Sequence, residues 1–68
     1  MKLISNNGSR ALILYGGKHY IVSDNGHETL IFPSDAKGNI SHYLEIGGGN
    51  GVTLDDVIGN FSFYLFTF

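Results

Sequence analysis

Cysteine is absent from this chain of 68 residues, and its absence removes two ways of stabilising a small protein. Without thiols, neither a disulfide bridge nor a thiolate metal site can hold the fold together. At this length one hydrophobic core is only marginally sufficient, so good packing, a metal site without cysteine or oligomerisation must supply the rest. The length also predicts that residues 1–68 form one small domain.

Positive charge and long apolar runs are scarce as well. The chain has four Lys and Arg and six Asp and Glu. This balance argues against sequence-independent binding to phosphate backbones, which needs clustered positive charge. Residues 1–18 contain bases and no acid, whereas Lys37 is the only base among residues 19–68. No apolar run flanked by bases is long enough for a signal peptide or a membrane span, so we expect a soluble cytoplasmic protein without membrane contacts.

Short runs of aliphatic and aromatic residues, separated by turn sequences, make up most of the chain. The runs at 10–15 and 18–23 are joined by Gly16-Gly17, a two-residue link that favours a primed hairpin turn. Asn25-Gly26 repeats this signal and leads into a further strand at 28–32. Two hairpins in series, preceded by a shorter first strand, predict an antiparallel meander.

Two-residue turns at both places determine which side chains share a face, because side chains alternate along a strand. They place Leu12 opposite Ile21, and Ile21 opposite Leu30. We expect one face to form the core, and its members are Leu12, Leu14, Ile21, Leu30 and Phe32. The other face is amphipathic, so a second layer or a partner is expected to cover it. Its members are Ala11, Ile13, Tyr15, Tyr20, Val22, Thr29 and Ile31.

Pro33 ends the fourth strand, since proline cannot donate to the ladder. After a solvated turn, the pattern predicts a strand at 40–46 and then a flexible glycine connector at 47–51. Thr53 is a candidate N-cap for a helix of one or two turns that ends at Gly59-Asn60, with acidic residues in its favourable first turn.

The last eight residues, 61–68, have the composition of a strand, and both faces of that strand are apolar. One face would carry Phe61, Phe63 and Leu65 and complete the core. The other face would either pack against the first strand or form an apolar patch for self-association or for a partner. The residues predicted to anchor a partner are Tyr20, Tyr64, Phe66 and Phe68.

Catalytic and metal sites are not indicated. The glycines at 47–51 lie where a phosphate-binding loop would, but no Lys-Ser/Thr pair closes them. Asp24, His27 and Glu28 could hold a divalent metal, although an ion pair or a turn hydrogen bond accounts for them without one. None of the serines has the spacing of a Ser, His and acid triad. We therefore predict no enzymatic activity, no cofactor and no metal.

An alternative site consists of Tyr15, Lys18 and Tyr20, which lie on or beside the amphipathic face. Aromatic side chains interleaved with bases stack on nucleic acids in oligonucleotide-binding barrels. Because this set has a single base and the chain is acidic, we rank nucleic-acid binding below protein binding.

One part of the chain resembles a group of known sequences. Its residues are Glu28-Thr-Leu-Ile-Phe-Pro-Ser-Asp-Ala-Lys-Gly-Asn-Ile40, then Tyr43-Leu-Glu-Ile-Gly-Gly48 and Val52-Thr-Leu-Asp-Asp56. This succession of strand, Pro-Ser-Asp-x-x-Gly turn, second strand, Gly-Gly loop and acidic-capped helix resembles small uncharacterised proteins encoded by bacteriophages. The resemblance implies a short accessory protein in the bacterial cytoplasm, and it supplies no activity or catalytic residues.

These features predict a mainly β domain. It is an antiparallel meander of five or six short strands, curved or closed into a small SH3-like barrel, with one short helix before the last strand. The predicted function is that of a non-enzymatic protein–protein interaction module, which forms a homo-oligomer or binds and modulates a host protein. A small nucleic-acid-binding β-barrel is the alternative.

Overall fold

In the computed structural model, residues 1–40 and 42–66 are described, and this part of the chain is mainly β. Its strands are β1 (Lys2–Asn6), β2 (Arg10–Tyr15), β3 (Lys18–Asp24), β4 (Glu28–Ser34) and β5 (Gly47–Asn50). They form one antiparallel sheet in the order β1-β2-β3-β4-β5, which confirms the predicted meander. The sheet is open, so the described strands do not close into a barrel. Two short helices follow, α1 (Leu54–Gly59) and α2 (Phe61–Tyr64).

The β2–β3 hairpin has the predicted register. Leu12 pairs with Ile21 and Leu14 pairs with His19, and the turn between the strands is Gly16-Gly17. Both glycines have positive φ, 59° and 80°, as a primed two-residue turn requires. The local sequence is therefore sufficient to specify this hairpin.

The β3–β4 hairpin is shifted from the predicted register. Ile21 pairs with Phe32 and not with Leu30, because the turn reverses one residue later than expected. The backbone N–H of Asn25 donates to the carbonyl of Glu28 at 3.0 Å, which closes this turn. A shift of two positions leaves every side chain on its predicted face, since the side-chain period along a strand is also two.

The largest buried cluster lies on the face that the sequence predicts to be covered by a second layer. Ile13, Val22 and Ile31 on this face are fully buried, as is Val57 of α1. Phe61 of α2 packs into the same cluster. The expected second layer therefore exists, and it consists of the two helices.

The face predicted to be the core is covered by the chain between β4 and β5. Leu12, Ile21 and Phe32 are buried there, and the ring of Tyr43 packs edge-on against Phe32 at 5.4 Å between centroids. This half of the prediction is correct for three side chains, but two others are only half-buried, Leu14 and Leu30.

Thr53 is the N-cap of helix α1, as its sequence predicts, and the structure shows that the cap is reciprocal. The hydroxyl of Thr53 accepts from the N–H of Asp56 at 3.1 Å, and the Asp56 carboxylate accepts from the N–H of Thr53 at 3.0 Å. Two otherwise unpaired backbone donors are satisfied in this way. The hydrogen bond from the Thr53 backbone holds the pKa of Asp56 below its ordinary value. The helix ends at Gly59, with Asn60 as its C-cap.

The strand predicted at 40–46 is wrong, and so is the flexible connector predicted at 47–51. Gly47–Asn50 is β5, and it pairs with Glu28–Ile31 of β4, whereas residues 42–46 have no regular structure. Continuing this register would place Glu45 opposite Pro33, which has no N–H to donate, and earlier residues opposite the turn after β4. The ladder therefore stops where β4 ceases to offer partners.

The strand predicted at 61–68 is also wrong in the described part. Phe61–Tyr64 is a single helical turn, and Leu65 forms an isolated bridge to Gly47. The final two residues, 67 and 68, lie outside the described part of the chain. Neither helix in residues 1–40 and 42–66 has the length and apolarity needed to cross a membrane.

Candidate interaction surfaces

The β5 edge of the sheet is covered by the chain's own C-terminal segment. Gly47 pairs with Ile31 on one side and bridges Leu65 on the other. Next to this bridge, the N–H of Phe66 donates to the carbonyl of Ile46 at 2.8 Å. The outward backbone groups at this point are therefore satisfied inside the chain, which is a common protection of edge strands.

Glycine is needed at position 47 because the covering segment lies directly on it, and at position 48 because the β4 backbone does. A Cβ at Gly47 would meet the carbonyl oxygen of Tyr64 and would lie 2.7 Å from the side chain of Ile31. A Cβ at Gly48 would meet the carbonyl oxygen of Thr29, and the φ of Gly48 is +113°. Both positions thus exclude a side chain for reasons of space.

Three aromatic residues lie close together in sequence in this covering segment, and we call them the C-terminal patch: Phe63, Tyr64 and Phe66. Phe63 is 72% exposed and Phe66 is 54% exposed, whereas Tyr64 is half-buried. The rings of Phe63 and Tyr64 lie edge-on at 5.1 Å. Leu44, also exposed, lies two residues before Ile46, the hydrogen-bond partner of Phe66. Large apolar side chains are thus presented to solvent beside β5.

The predicted partner-binding residues are placed in three different environments. Tyr64 and Phe66 are together in the C-terminal patch. Tyr20 is only 8% exposed and packs against Phe61 at 5.4 Å between ring centroids, so its ring belongs to the core. Phe68 lies outside the described residues. The role of Tyr64 and Phe66 in binding stays a prediction.

Phe63 is the exposed aromatic residue that the sequence reading assigns to the core. A strand would place it beside Phe61 and Leu65, but in a helix the residue two positions along points away from its neighbours. Phe61 and Leu65 are buried in the structure, as both readings require, because positions i and i+4 share a face in either geometry. Only Phe63 distinguishes the strand from the helix.

The alternative nucleic-acid set is only partly accessible. Lys18 is exposed at the β2–β3 turn, while Tyr15 is half-buried and its ring packs edge-on against Phe61 at 5.3 Å. Phe61 therefore contacts both tyrosines of the set, since Tyr20 packs on it too. These contacts occupy ring surface that stacking on bases would use.

The opposite edge of the sheet, β1, has no covering segment among the described residues. All five residues of β1 are exposed, and Ile4 is the extra residue of a bulge between the Leu3–Ile13 and Ser5–Leu12 pairs. An edge strand presents a row of backbone donors and acceptors that can accept another strand. This edge is thus the more open of the two.

A groove of about 260 Å³ lies where β1 meets the turn after β4. Its floor includes the buried side chains of Leu12 and Ile21. Arg10 and Lys37 also line it, and none of its lining residues is acidic. The groove therefore combines an apolar floor with two of the four bases of the chain.

The hairpin tip that suggested a metal site is held by local hydrogen bonds. The carboxylate of Asp24 accepts from the N–H of Gly26 at 2.9 Å, and the side-chain oxygen of Asn25 accepts from the N–H of Glu28 at 3.0 Å. Within residues 1–40 and 42–66, no three His, Asp or Glu side chains are grouped as metal ligands would be. Turn geometry accounts for these residues.

Comparison with known proteins does not assign the chain to a family. No protein-family model, no curated protein and no solved structure matches it.

Proposed function

We propose that this protein is a non-enzymatic protein–protein interaction module that self-associates through the C-terminal patch. The exposure of Phe63 and Phe66, at 72% and 54%, carries the proposal. Large aromatic side chains that are neighbours on a surface are the usual anchors of protein interfaces, because each buries a large apolar area when it is covered. Phe63 and Phe66 lie within four residues of each other, and exposed apolar side chains that are grouped mark interaction sites.

A second copy of the chain is the occupant that the charges favour. Residues 57–68 contain no charged side chain, so two copies can bring the aromatic side chains of this segment together without burying an ionised side chain of the segment. A two-fold contact places the same surface on both subunits and therefore needs a self-complementary patch. An uncharged aromatic patch meets that condition.

The wider part of the proposal concerns a host protein. The resemblance of residues 28–56 to small bacteriophage proteins supports an accessory role, in which the module covers a surface of a bacterial protein and so modulates it. Exposed acidic residues, Glu45 and Asp55, would then lie at the rim of the contact, where charge contributes to specificity more than to affinity.

Light scattering coupled to size exclusion, over a series of protein concentrations, tests the self-association. The parent chain is expected to dimerise, and the separate substitutions Phe63→Ser and Phe66→Ser are expected to shift the equilibrium to the monomer. Both side chains are exposed, so neither change should reduce the free energy of unfolding by more than about 0.5 kcal/mol. Circular dichroism checks that the variants remain folded.

The matched control is Leu3→Ser, which removes an exposed apolar side chain from the other edge of the sheet. It should leave the dimer intact. A parent chain that stays monomeric at the highest concentration contradicts the proposal. So does a Leu3→Ser variant that dissociates as readily as the Phe66→Ser variant, because the contact would then not depend on the C-terminal patch.

A further inference from the structure

The β1 edge has a feature that the self-association does not use: an open backbone ladder beside a cationic groove. β1 is at the end of the sheet, and each of its residues is exposed. Arg10 and Lys37 line the groove that adjoins its last residues, Ser5 and Asn6. The groove opens on the sheet face beside the end of β1. An acidic side chain of an extended segment paired with the free edge of β1 would therefore point toward these bases from the neighbouring strand position.

The polar groups around the groove are mainly donors. The side-chain oxygen of Asn6 accepts from the N–H of Gly8 at 2.8 Å, and that of Asn7 accepts from the N–H groups of Ser9 and Arg10 at 2.9 and 2.8 Å. With the oxygens engaged in the turn, the amide nitrogen of each Asn remains to donate to a ligand. Two cations and two amide donors together favour an anionic acceptor.

Asp35, the acid nearest to Lys37 in the sequence, does not line the groove. Asp35 accepts from the backbone N–H groups of Lys37 and Asn39, each at 2.9 Å, and from the Asn39 side chain at 3.2 Å. Its carboxylate is thus held within its own turn. The hydrogen bond from the Asn39 backbone is the first cause that lowers the pKa of Asp35, which agrees with a carboxylate engaged by its own turn.

We propose that the β1 edge and its groove bind an acidic peptide in an extended conformation, which adds to the sheet as a further antiparallel strand and places a carboxylate between Arg10 and Lys37. The inference rests on the proposed function, since it is a form of protein binding, but it uses the opposite edge of the sheet. Backbone hydrogen bonds supply affinity in this mode, and the cationic groove supplies the preference for acidic residues.

Charge distinguishes this partner from a second copy of the chain. Residues 1–18 contain Lys2, Arg10 and Lys18 and no acid, so two β1 edges brought together would repel each other. The bulge at Ile4 further limits how many residues of two identical edges can pair. An acidic strand instead gains attraction along the same edge.

A nucleic acid is the other anionic partner to consider, and the structure favours a peptide over it. None of the residues lining the groove is aromatic, so the groove has no platform on which bases would stack. A nucleic acid also cannot pair with the open ladder of β1, whereas a peptide strand can. Two lining bases suit a single carboxylate better than a run of phosphates.

Fluorescence anisotropy with defined probes tests the proposal. The probe is a labelled peptide of ten residues in which Glu alternates with Val, and the matched control peptide has Gln in place of Glu. A third peptide repeats the acidic sequence with alternate backbone nitrogens methylated, which removes its strand donors. The acidic peptide should bind at low salt, and the other two should bind at least about tenfold more weakly.

Two variants locate the site on the protein. Arg10→Gln and Lys37→Gln are each expected to weaken binding of the acidic peptide about tenfold. Lys18→Gln is the matched control. Lys18 pairs with Tyr15, at the end of β2 opposite to Arg10, and is therefore more than a screening length from Arg10. It should change the affinity less than about twofold.

The proposal is overturned if the acidic peptide does not bind, or if methylation of its backbone has no effect. It is also overturned if a labelled single-stranded oligonucleotide binds more tightly than the peptide and loses that affinity in the Arg10→Gln variant, since the groove would then be a phosphate site. A monomeric parent chain that binds the peptide would support this inference and contradict self-association. A parent chain that dimerises and does not bind the peptide would support self-association and contradict this inference.

Discussion

The two edges of the sheet differ in both cover and charge. At β5 the C-terminal segment covers the edge. Leu65 bridges Gly47, and the N–H of Phe66 donates to the carbonyl of Ile46. The backbone is therefore paired here, and uncharged aromatic side chains are exposed. At β1 no segment of the described residues covers the backbone, and two bases lie near it, Lys2 on the strand and Arg10 at the start of β2. One edge is covered by the chain and carries uncharged aromatic side chains, and the other is open and carries a base, Lys2, beside exposed Leu3 and Ile4.

This difference shows how one small sheet can protect itself in two ways. The β5 edge is occupied by a segment that only glycine allows to approach, and the consequence is an exposed aromatic patch. The β1 edge is open, with a lysine and a bulge, both of which are devices that limit pairing between identical edges. In our proposal this edge accepts a strand of opposite charge. We therefore expect mutations to cost stability mainly at β5 and to affect binding mainly at β1.

The largest expected effect is that of Gly48→Ala. The new Cβ would collide with the carbonyl oxygen of Thr29 and lie 2.8 Å from the Cα of Leu30, at a φ of +113°. Since these atoms belong to the β4 backbone, the sheet must shift, and the free energy of unfolding should fall by roughly 2–4 kcal/mol. Urea denaturation measures this.

The control for that change is Gly51→Ala. Gly51 also has positive φ, +71°, but nothing lies within 4 Å of the position of its Cβ. Only the conformational penalty applies, so the loss should be about 1 kcal/mol. Equal losses in the two variants would mean that close packing at the β5 edge is not what requires glycine at position 48.

A smaller effect is expected for Thr29→Val, next to β5. The buried hydroxyl of Thr29 donates to the carbonyl of Val52 at 2.8 Å and so ties the residue before the cap of α1 to β4. Valine has nearly the same shape but leaves that carbonyl without its donor, at a cost of about 1–2 kcal/mol in unfolding free energy.

The comparison at the other edge is Ser5→Ala, which removes an exposed hydroxyl from β1. It should change the unfolding free energy by less than about 0.5 kcal/mol. Thermal or urea denaturation measures both variants. If Thr29→Val and Ser5→Ala lost the same unfolding free energy, side chains near β5 would not contribute more to stability than those of β1.

The smallest effect concerns pH and the cap of α1. The folded pKa of Asp56 is lower than its ordinary value of 3.8, because the Thr53 backbone donates to its carboxylate. The contribution to stability is therefore complete above pH 3.8 and is lost as the pH falls through the lower folded value. Urea denaturation over this pH range should show that the unfolding free energy falls less steeply with decreasing pH in Asp56→Asn than in the parent. Parallel curves would contradict a role for this carboxylate.

Local signals predicted the elements that local chemistry specifies. Gly16-Gly17 specifies the β2–β3 turn because both residues need positive φ, and Thr53 with Asp56 specifies the start of α1 because the cap lies within four residues. The two sets of side chains lie on their predicted faces despite the register shift at the second hairpin. The shift is two residues, and side chains along a strand alternate with a period of two. The patterns placed a second layer or a partner on the amphipathic face, but they did not show that two helices would form this layer.

The C-terminal segment shows why the rest could not be predicted. Phe61 and Leu65 are four residues apart, and that spacing is compatible with one face of a strand and with one face of a helix. The aromatic composition favours a strand, so the local preference pointed to the wrong element. Phe63 was consequently assigned to the core, and the surface patch was only partly identified through Tyr64 and Phe66.

By itself the sequence determined the meander, the first hairpin register, the helix cap and the two sets of side chains, because each depends on residues close together along the chain. Only the tertiary structure decided that glycines 47–49 pair as a strand and that Phe61–Tyr64 turns as a helix. The reason is steric: the space above Gly47 and Gly48 admits no side chain, and the Phe61 ring fills the core beside Tyr15 and Tyr20. Contacts between residues far apart in sequence override local propensity at that point.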